Sequence, residues 1–438
     1  MGVDTHFARL ADDAAAIAAA IARRRSAVAQ QWDLGPEVVL IAAGDPLPIP
    51  GRDDLTYRFR AHSDYFYLTD RERSGGVLAF TADEGWVDFV RPVSTAERLW
   101  EGAPAGEHPG PPVTELERWL EQRTGRPLVV LGAGIPGREG DPKLAESLRR
   151  GLHHVRRPKD EVELARMRVA ERATRAGFAR LTELIAIGRS ERELQIELEA
   201  EFFRHGGDAL SFETIVASGP NSAVLHFPPT SRRLGEGELL LVDAGSEYRG
   251  YASDVTRTFS ASGRFTSEQA AIYEIVRRTL DTVIGQCRVG VESRSLHLTA
   301  AAVIAEGLID LGILRGAVDD LISSGAVARF FPHGVGHLVG LGTRDASALP
   351  PGYEPDPSIP GLRNNLPLLA GYVTTVEPGL YFVPALLADP DSRAELGDAI
   401  DSDRVQTLMG FGGIRLEHNV LITADGPEVI TADIPLAG

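Results

Sequence analysis

The chain holds 438 residues, 43% hydrophobic and 24% charged, a globular balance that excludes a mostly disordered polymer. Lys+Arg number 45 and Asp+Glu 62, and the formal charge of −17 repels nucleic acid and anionic membrane. Cys287 is the sole cysteine, so no disulfide closes within the chain, which fits a reducing, cytoplasmic setting.

At roughly 150 residues per domain the length suggests two or three domains. No apolar run approaches the ~20 residues of a membrane span. Near the start, Asp12-Asp13 precedes an alanine-rich apolar stretch and Arg23-Arg24-Arg25 follows it. A signal peptide has the opposite polarity, whereas a helix dipole favours this one, so the segment reads as a surface helix.

In chain order, 37–44, 75–82, 85–91 and 127–132 read as strands, with helices near 94–101 and 113–123. This alternation predicts an α/β N-terminal domain over 1–156 and a second domain over 157–438. Pro158 marks the joint, because proline disfavours helix in the residue before it. A helix is predicted from Asp160 to about Ile187, and Ser190-x-x-Glu193 opens another as a capping box. Beyond it come strands at 212–218, 238–244, 249–259, 371–377 and 413–423, with helices at 267–288 and 294–311. The stretch 384–412 reads as an irregular insert with a short helix.

Gly132-Ala-Gly-Ile-Pro-Gly137 matches the dinucleotide pattern G-x-G-x-x-G. Pro136 removes an amide that a pyrophosphate would need, and the next helix is plausible only from about Asp141, so a glycine-rich turn is the better reading.

A scattered set of acids and histidines carries more chemistry. Asp243 ends the apolar run Leu239-Leu-Leu-Val242, where a buried carboxylate must be paired or metal-bound. Asp254 lies on the next strand, and a hairpin across 247–250 would bring both acids to one point. His333-Gly-Val-Gly-His337 places imidazoles in a glycine-rich segment. Glu377 ends another apolar strand, and Glu417 sits where alternation expects burial. Each alone fits a cap or a salt bridge. Together, four carboxylates carry −4 and match two divalent ions at +4. Oxygen-rich ligands with one imidazole favour Mn²⁺, with Zn²⁺ or Co²⁺ also fitting.

This constellation resembles the pita-bread metallopeptidases, the family of methionine aminopeptidase, aminopeptidase P and prolidase. The segment 57–68, Tyr-Arg-Phe-Arg-Ala-His-Ser-Asp-Tyr-Phe-Tyr-Leu, resembles the N-terminal domain of the aminopeptidase P and prolidase branch. The resemblance implies an α+β pita-bread catalytic domain behind a smaller α/β domain with a mixed sheet. It implies Asp243, Asp254, His337, Glu377 and Glu417 as ligands of two metals, a bridging hydroxide as nucleophile and Glu377 as general base. It further implies catalytic roles for His226, His333 and Arg415, a homodimer, and a small Xaa-Pro peptide as substrate. Tyr381 and Trp100 match residues expected beside the substrate.

Two features point to prolidase, which cleaves Xaa-Pro dipeptides, over aminopeptidase P, which accepts longer peptides. Glu377 and Glu417 are 40 residues apart, and the insert 381–412 resembles the long prolidase insert. Arg363 matches the arginine that prolidases aim at the dipeptide carboxylate, a good partner for a guanidinium fork. The expected activity is therefore Xaa-Pro dipeptidase, with Xaa-Pro aminopeptidase or a non-enzymatic binding protein as alternatives. One position departs from the family. Seven residues after His337 a histidine is expected, and Arg344 stands there instead. Arginine cannot act as a general acid near neutral pH. Binding the substrate carboxylate beside Arg363 is the expected role, and pairing with Asp345 the alternative.

Overall fold

The computed structural model describes the chain except residues 1, 53, 101, 103–109, 354, 355, 358, 360, 364, 390–395 and 438, and the side chains of 2–6. It divides into two compact units, Asp12–Arg156 and Met1–Ala11 with Arg157–Gly438.

The smaller unit is built on a four-stranded mixed sheet in the order Gly85–Phe89, Val77–Thr81, Val38–Ala42, Leu128–Gly132. The last pair is parallel and the others antiparallel. Val38–Ala42 is an uninterrupted apolar run buried on both faces, which makes it a central strand. Helix Ala14–Trp32 starts at the N-cap Asp13, whose side chain accepts from the Ala16 amide. Trp32, Phe80 and Trp86 form an aromatic cluster with centroid spacings of 4.5–5.9 Å. After the glycine-rich turn the helix begins only at Pro142, so the following helix does not start within that turn. Buried Asp64 sits beneath Arg156 and His153, with His153 Nε2 at 3.2 Å.

The larger unit opens with two packed helices, Glu161–Leu184 and Glu191–Arg204, each started by a capping box. They cover an antiparallel sheet in the order Val255–Ser260, Leu239–Ala244, Ile215–Ser218. Helices Ser267–Gln286 and Ser293–Asp310 cover a second sheet, Val373–Val376, His418–Thr423, Gly426–Val429. A short ladder, Gly379–Tyr381 with Gly413–Arg415, completes this half. The predicted strand 413–423 is thus broken. Residues 413–415 and 418–423 pair with different strands, and Glu417 lies in the break opposite Glu377, which lies in the matching break between Val376 and Gly379. Part of the predicted insert, residues 390–395, lies outside the described residues. Among the described residues no helix is long and apolar enough to cross a membrane.

Candidate metal centre

The hairpin expected to join Asp243 and Asp254 is present. Leu239–Ala244 pairs antiparallel with Val255–Ser260, with Ala244 opposite Val255. The reversal is made by Arg249 and Gly250, at φ 51° and 82°, a conformation that suits glycine at the second position. Asp254 is fixed from behind by Asn419, which accepts from its amide at 3.0 Å and donates to its carbonyl at 2.7 Å. His337 is set by strand Val373–Val376: its amide donates to Thr375 Oγ1 at 3.0 Å and its carbonyl accepts from the Thr375 amide at 2.8 Å. Gly336 permits this approach, since a Cβ there would lie 2.0 Å from the Thr375 carbonyl oxygen.

These elements converge. One ligand atom each from Asp254, His337 and Glu417 lies within 4.8 Å of the others. His337 Nε2 is 3.5 Å from Asp254 Oδ2 and 3.5 Å from Glu377 Oε1. Glu417 accepts from Thr256 Oγ1 at 2.6 Å, and Glu377 from Thr375 Oγ1 at 3.3 Å. Asp243 accepts from Arg415 Nη2 at 2.6 Å through Oδ2, while its buried Oδ1 has no hydrogen-bond partner among the described residues.

The electrostatics identify what fits. Burial first, then the neighbouring carboxylates, push Asp254 and Glu417 well above the ordinary range. Burial likewise raises Glu377 to about 7 against the opposing charge of Arg415. Burial lowers His337 to about 3, so its imidazole is neutral. Its Nδ1 donates to the Leu338 carbonyl at 3.2 Å, which leaves the Nε2 lone pair facing two carboxylates. Acceptors facing acceptors in a buried site are the donor set of a cation, and the residues fit divalent metal.

Behind the acids runs a second layer. Arg415 Nη1 donates to the Tyr381 hydroxyl at 2.8 Å, and that hydroxyl lies 2.9 Å from His333 Nε2. Tyr381, expected beside the substrate, is set back from the cavity. It is fully buried and absent from the cavity lining, because Arg415 and His333 hold its hydroxyl behind the acids. The cavity in front is about 880 Å³ and is lined by the four acids and the imidazole above with His226, His333, Arg344, Arg363 and Arg415. Arg344 and Arg363 are exposed and make no ion pair among the described residues. Asp345, the alternative partner for Arg344, is buried against Lys159 at 2.9 Å. Trp100 ends helix Thr95–Trp100 of the smaller unit and is 82% exposed.

Several residues of this region were not singled out in the sequence. Arg257, fully buried, donates to the Glu417 carbonyl at 2.6 Å and to the chain near Ile434. Thr256 and Thr375 orient two of the acids. Their signal was available as polar residues alternating within otherwise apolar strands. Glu213 also lines the cavity.

Residues 165–424 match the model of metallopeptidase family M24, and residues 21–117 match the aminopeptidase P N-terminal domain. A relative from Tuber melanosporum, named as a probable Xaa-Pro aminopeptidase, is 31% identical over 387 residues, 86% of this chain and 85% of its own. One of the same name from Fusarium vanettenii is 32% identical over 397 residues, 86% and 85% of the two chains. Among solved structures, proline aminopeptidase P II from Yersinia pestis aligns with a TM-score of 0.78 at 28% identity, covering 95% of this chain and 96% of its own. Zinc-substituted aminopeptidase P from E. coli, in complex with product, aligns with a TM-score of 0.78 at 29% identity over 95% of each chain. The expected architecture, a pita-bread catalytic domain behind a domain with a mixed sheet, is therefore the observed one.

Proposed function

The chain belongs to metallopeptidase family M24, and we propose that it is an Xaa-Pro aminopeptidase, releasing the residue that precedes proline at the N-terminus of a peptide. The observation that carries this reading is the buried set of four carboxylates and one neutral imidazole opening on an 880 Å³ cavity. The names of the relatives and solved structures support the aminopeptidase reading over the dipeptidase expected from the sequence.

Asp243, Asp254, His337, Glu377 and Glu417 would hold two divalent ions, with Mn²⁺ favoured by the oxygen-rich set and Zn²⁺ or Co²⁺ admissible. Such ions, when bound, acidify a water and polarise the scissile carbonyl. The remaining work falls to the chain. Glu377 takes the proton of the attacking water and passes it to the leaving proline nitrogen, a task suited to a carboxylate whose proton affinity lies near neutrality. His226, exposed on the cavity wall, meets the substrate backbone. Arg415 and His333, joined through Tyr381, keep Asp243 and Glu377 in place.

Preference for dipeptides is a second reading, favoured by one observation. Arg363 and Arg344 line the same cavity and bring two guanidinium groups without carboxylate partners among the described residues. The free carboxylate of an Xaa-Pro dipeptide would match them.

The test is hydrolysis by the Mn²⁺-supplemented protein of an Xaa-Pro-Xaa tripeptide and an Xaa-Pro dipeptide. Release of free Xaa and Pro-Xaa from the tripeptide is the expected result. Cleavage of the dipeptide alone would move the chain to the dipeptidase reading, and cleavage of neither would remove both.

A further inference from the structure

We propose that Glu191 is the positioning residue that holds His226 in the cavity wall. The inference rests on the aminopeptidase reading, in which His226 meets the substrate, and it names what keeps that histidine in place.

His226 is carried on the segment from Ser218 to Thr230, whose residues Leu225, His226, Phe227, Pro228 and Pro229 line the cavity. Leu225 and Phe227 pack against the cluster of Ile215, Ala217, Leu241 and Tyr381, and His226 between them is exposed. From Leu225 to Pro228 the segment makes no hydrogen bond among the described residues. Pro228 and Pro229 have no amide to give one. The aim of the histidine is therefore inherited from the two ends of its segment.

Both ends meet on one carboxylate. Glu191 is the first residue of helix Glu191–Arg204 and is fully buried. Its Oε1 accepts from the Ser218 amide at 2.9 Å, from Ser218 Oγ at 2.8 Å and from Asn221 Nδ2 at 2.9 Å. Its Oε2 accepts from the Thr230 amide at 3.0 Å and from Thr230 Oγ1 at 2.6 Å. Each oxygen thus closes one end of the loop. Burial would raise this carboxyl, but the hydrogen bonds from Thr230, Asn221 and Ser218 hold it below its ordinary value, so it is an anion at neutral pH. Hydrogen bonds to an ionised acceptor are stronger than neutral ones, which stiffens the clamp. Smaller ties support each end. The Val224 amide donates to the Asn221 carbonyl at 2.9 Å, and Ser222 Oγ accepts from the Gly413 amide at 2.9 Å. The Thr230 carbonyl accepts from the Arg192 amide at 2.9 Å. A glutamine at 191 has the same shape, but its amide nitrogen is a donor and would face the donors of one end. That end is then released.

Glu191→Gln, Thr230→Val and His226→Ala, with each of the first two also combined with the third, are compared with the wild type in the full, Mn²⁺-loaded chain. Kinetics use Ala-Pro-Ala, and hydrogen exchange read by mass spectrometry follows residues 219–229. The proposal expects Glu191→Gln to lower kcat/KM on the order of ten- to a hundredfold, with bound metal unchanged. Thr230→Val removes a single side-chain donor and should give a smaller loss in the same direction, and it carries the same test should Glu191→Gln not fold. In the His226→Ala background both losses should largely disappear, because residues that act through one another are not additive. Exchange over 219–229 should rise in Glu191→Gln, with that over 239–244 unchanged. Losses that multiply in full with that of His226→Ala would overturn the proposal, and so would unchanged exchange. A fall in bound metal matching the fall in activity would also overturn it, since Glu191 would then serve the fold as a whole. The exchange measurement needs no hydrolysis. If the wild type cleaves no Xaa-Pro peptide, the proposed activity falls, and exchange over 219–229 alone decides whether Glu191 holds this segment.

Discussion

Arg415 and Asp243 form a buried ion pair, Nη2 to Oδ2 at 2.6 Å. The same guanidinium donates through Nε to Thr256 Oγ1 at 3.1 Å and through Nη1 to Tyr381. One side chain thus fixes Asp243, the threonine that orients Glu417, and the hydroxyl beside His333. A planar fork with several donors can do this, and an ammonium cannot.

Removing that fork should be costly. Arg415→Ala leaves Asp243 and Tyr381 buried without their donor, and truncating one partner of a buried ion pair typically costs about 3–5 kcal/mol. Denaturant unfolding of the larger unit, followed by circular dichroism, should show a loss of that order. Arg415→Lys should recover only part of it. A midpoint unchanged from wild type would show that the pair is not structural.

Asp64, in the smaller unit, gives a pH signature of its own. Burial alone would raise its carboxyl, but the hydrogen bond from His153 and the charge of Arg156 hold it well below the usual carboxylate range. A depressed folded pKa stabilises the fold at pH values above the unfolded pKa of about 3.9, and that contribution fades as pH falls toward the folded value. All four tryptophans, Trp32, Trp86, Trp100 and Trp119, lie in this unit, so indole fluorescence reports its unfolding alone. Asp64→Asn should lower the urea midpoint at pH 7 and flatten its decline below about pH 4. Parallel wild-type and variant curves would refute the assignment.

Two guanidiniums without ion-pair partners among the described residues, Arg344 and Arg363, make a prediction about substrate charge. Arg344 and Arg363 line the same cavity as His337, whose basicity is lowered by burial and then by these two charges. If they hold a dipeptide carboxylate, Arg344→Ala and Arg363→Ala should each reduce the ratio of kcat/KM for an Xaa-Pro dipeptide to that for its amide. A hydrogen bond to a charged group is worth about 1.5–3 kcal/mol, roughly a tenfold change or more. An equal loss on both substrates would mean that these residues serve the chemical step or the fold.

Much of the site was legible because each ligand interrupts a strong local pattern. Asp243 closes an apolar strand, and Glu377 is followed at once by Pro378, which lacks the amide to continue a ladder. The glycines around His333 and His337 marked a close backbone approach, realised at Gly336 against Thr375. Less legible was anything set by distant pairing. The break at Glu417 depends on two ladders that part company at residues 416 and 417. Tyr381 matches a residue expected beside the substrate, yet the direction of its hydroxyl is set by Arg415, 34 positions away in the chain. Arg257 had no local signal at all, since its partners Glu417 and Ile434 are contributed by the far end of the chain.

The central claim is that the five ligands act as one dinuclear centre, and metal stoichiometry tests it most directly. The protein is loaded with Mn²⁺, freed of excess ion and analysed by atomic spectrometry, beside the variant Asp254→Asn, which replaces a carboxylate 3.5 Å from His337 Nε2. The account predicts about two ions per wild-type chain, with at least one lost in the variant together with hydrolysis of Xaa-Pro peptides. Full occupancy and full activity in Asp254→Asn, or no bound metal in an active wild type, would contradict it.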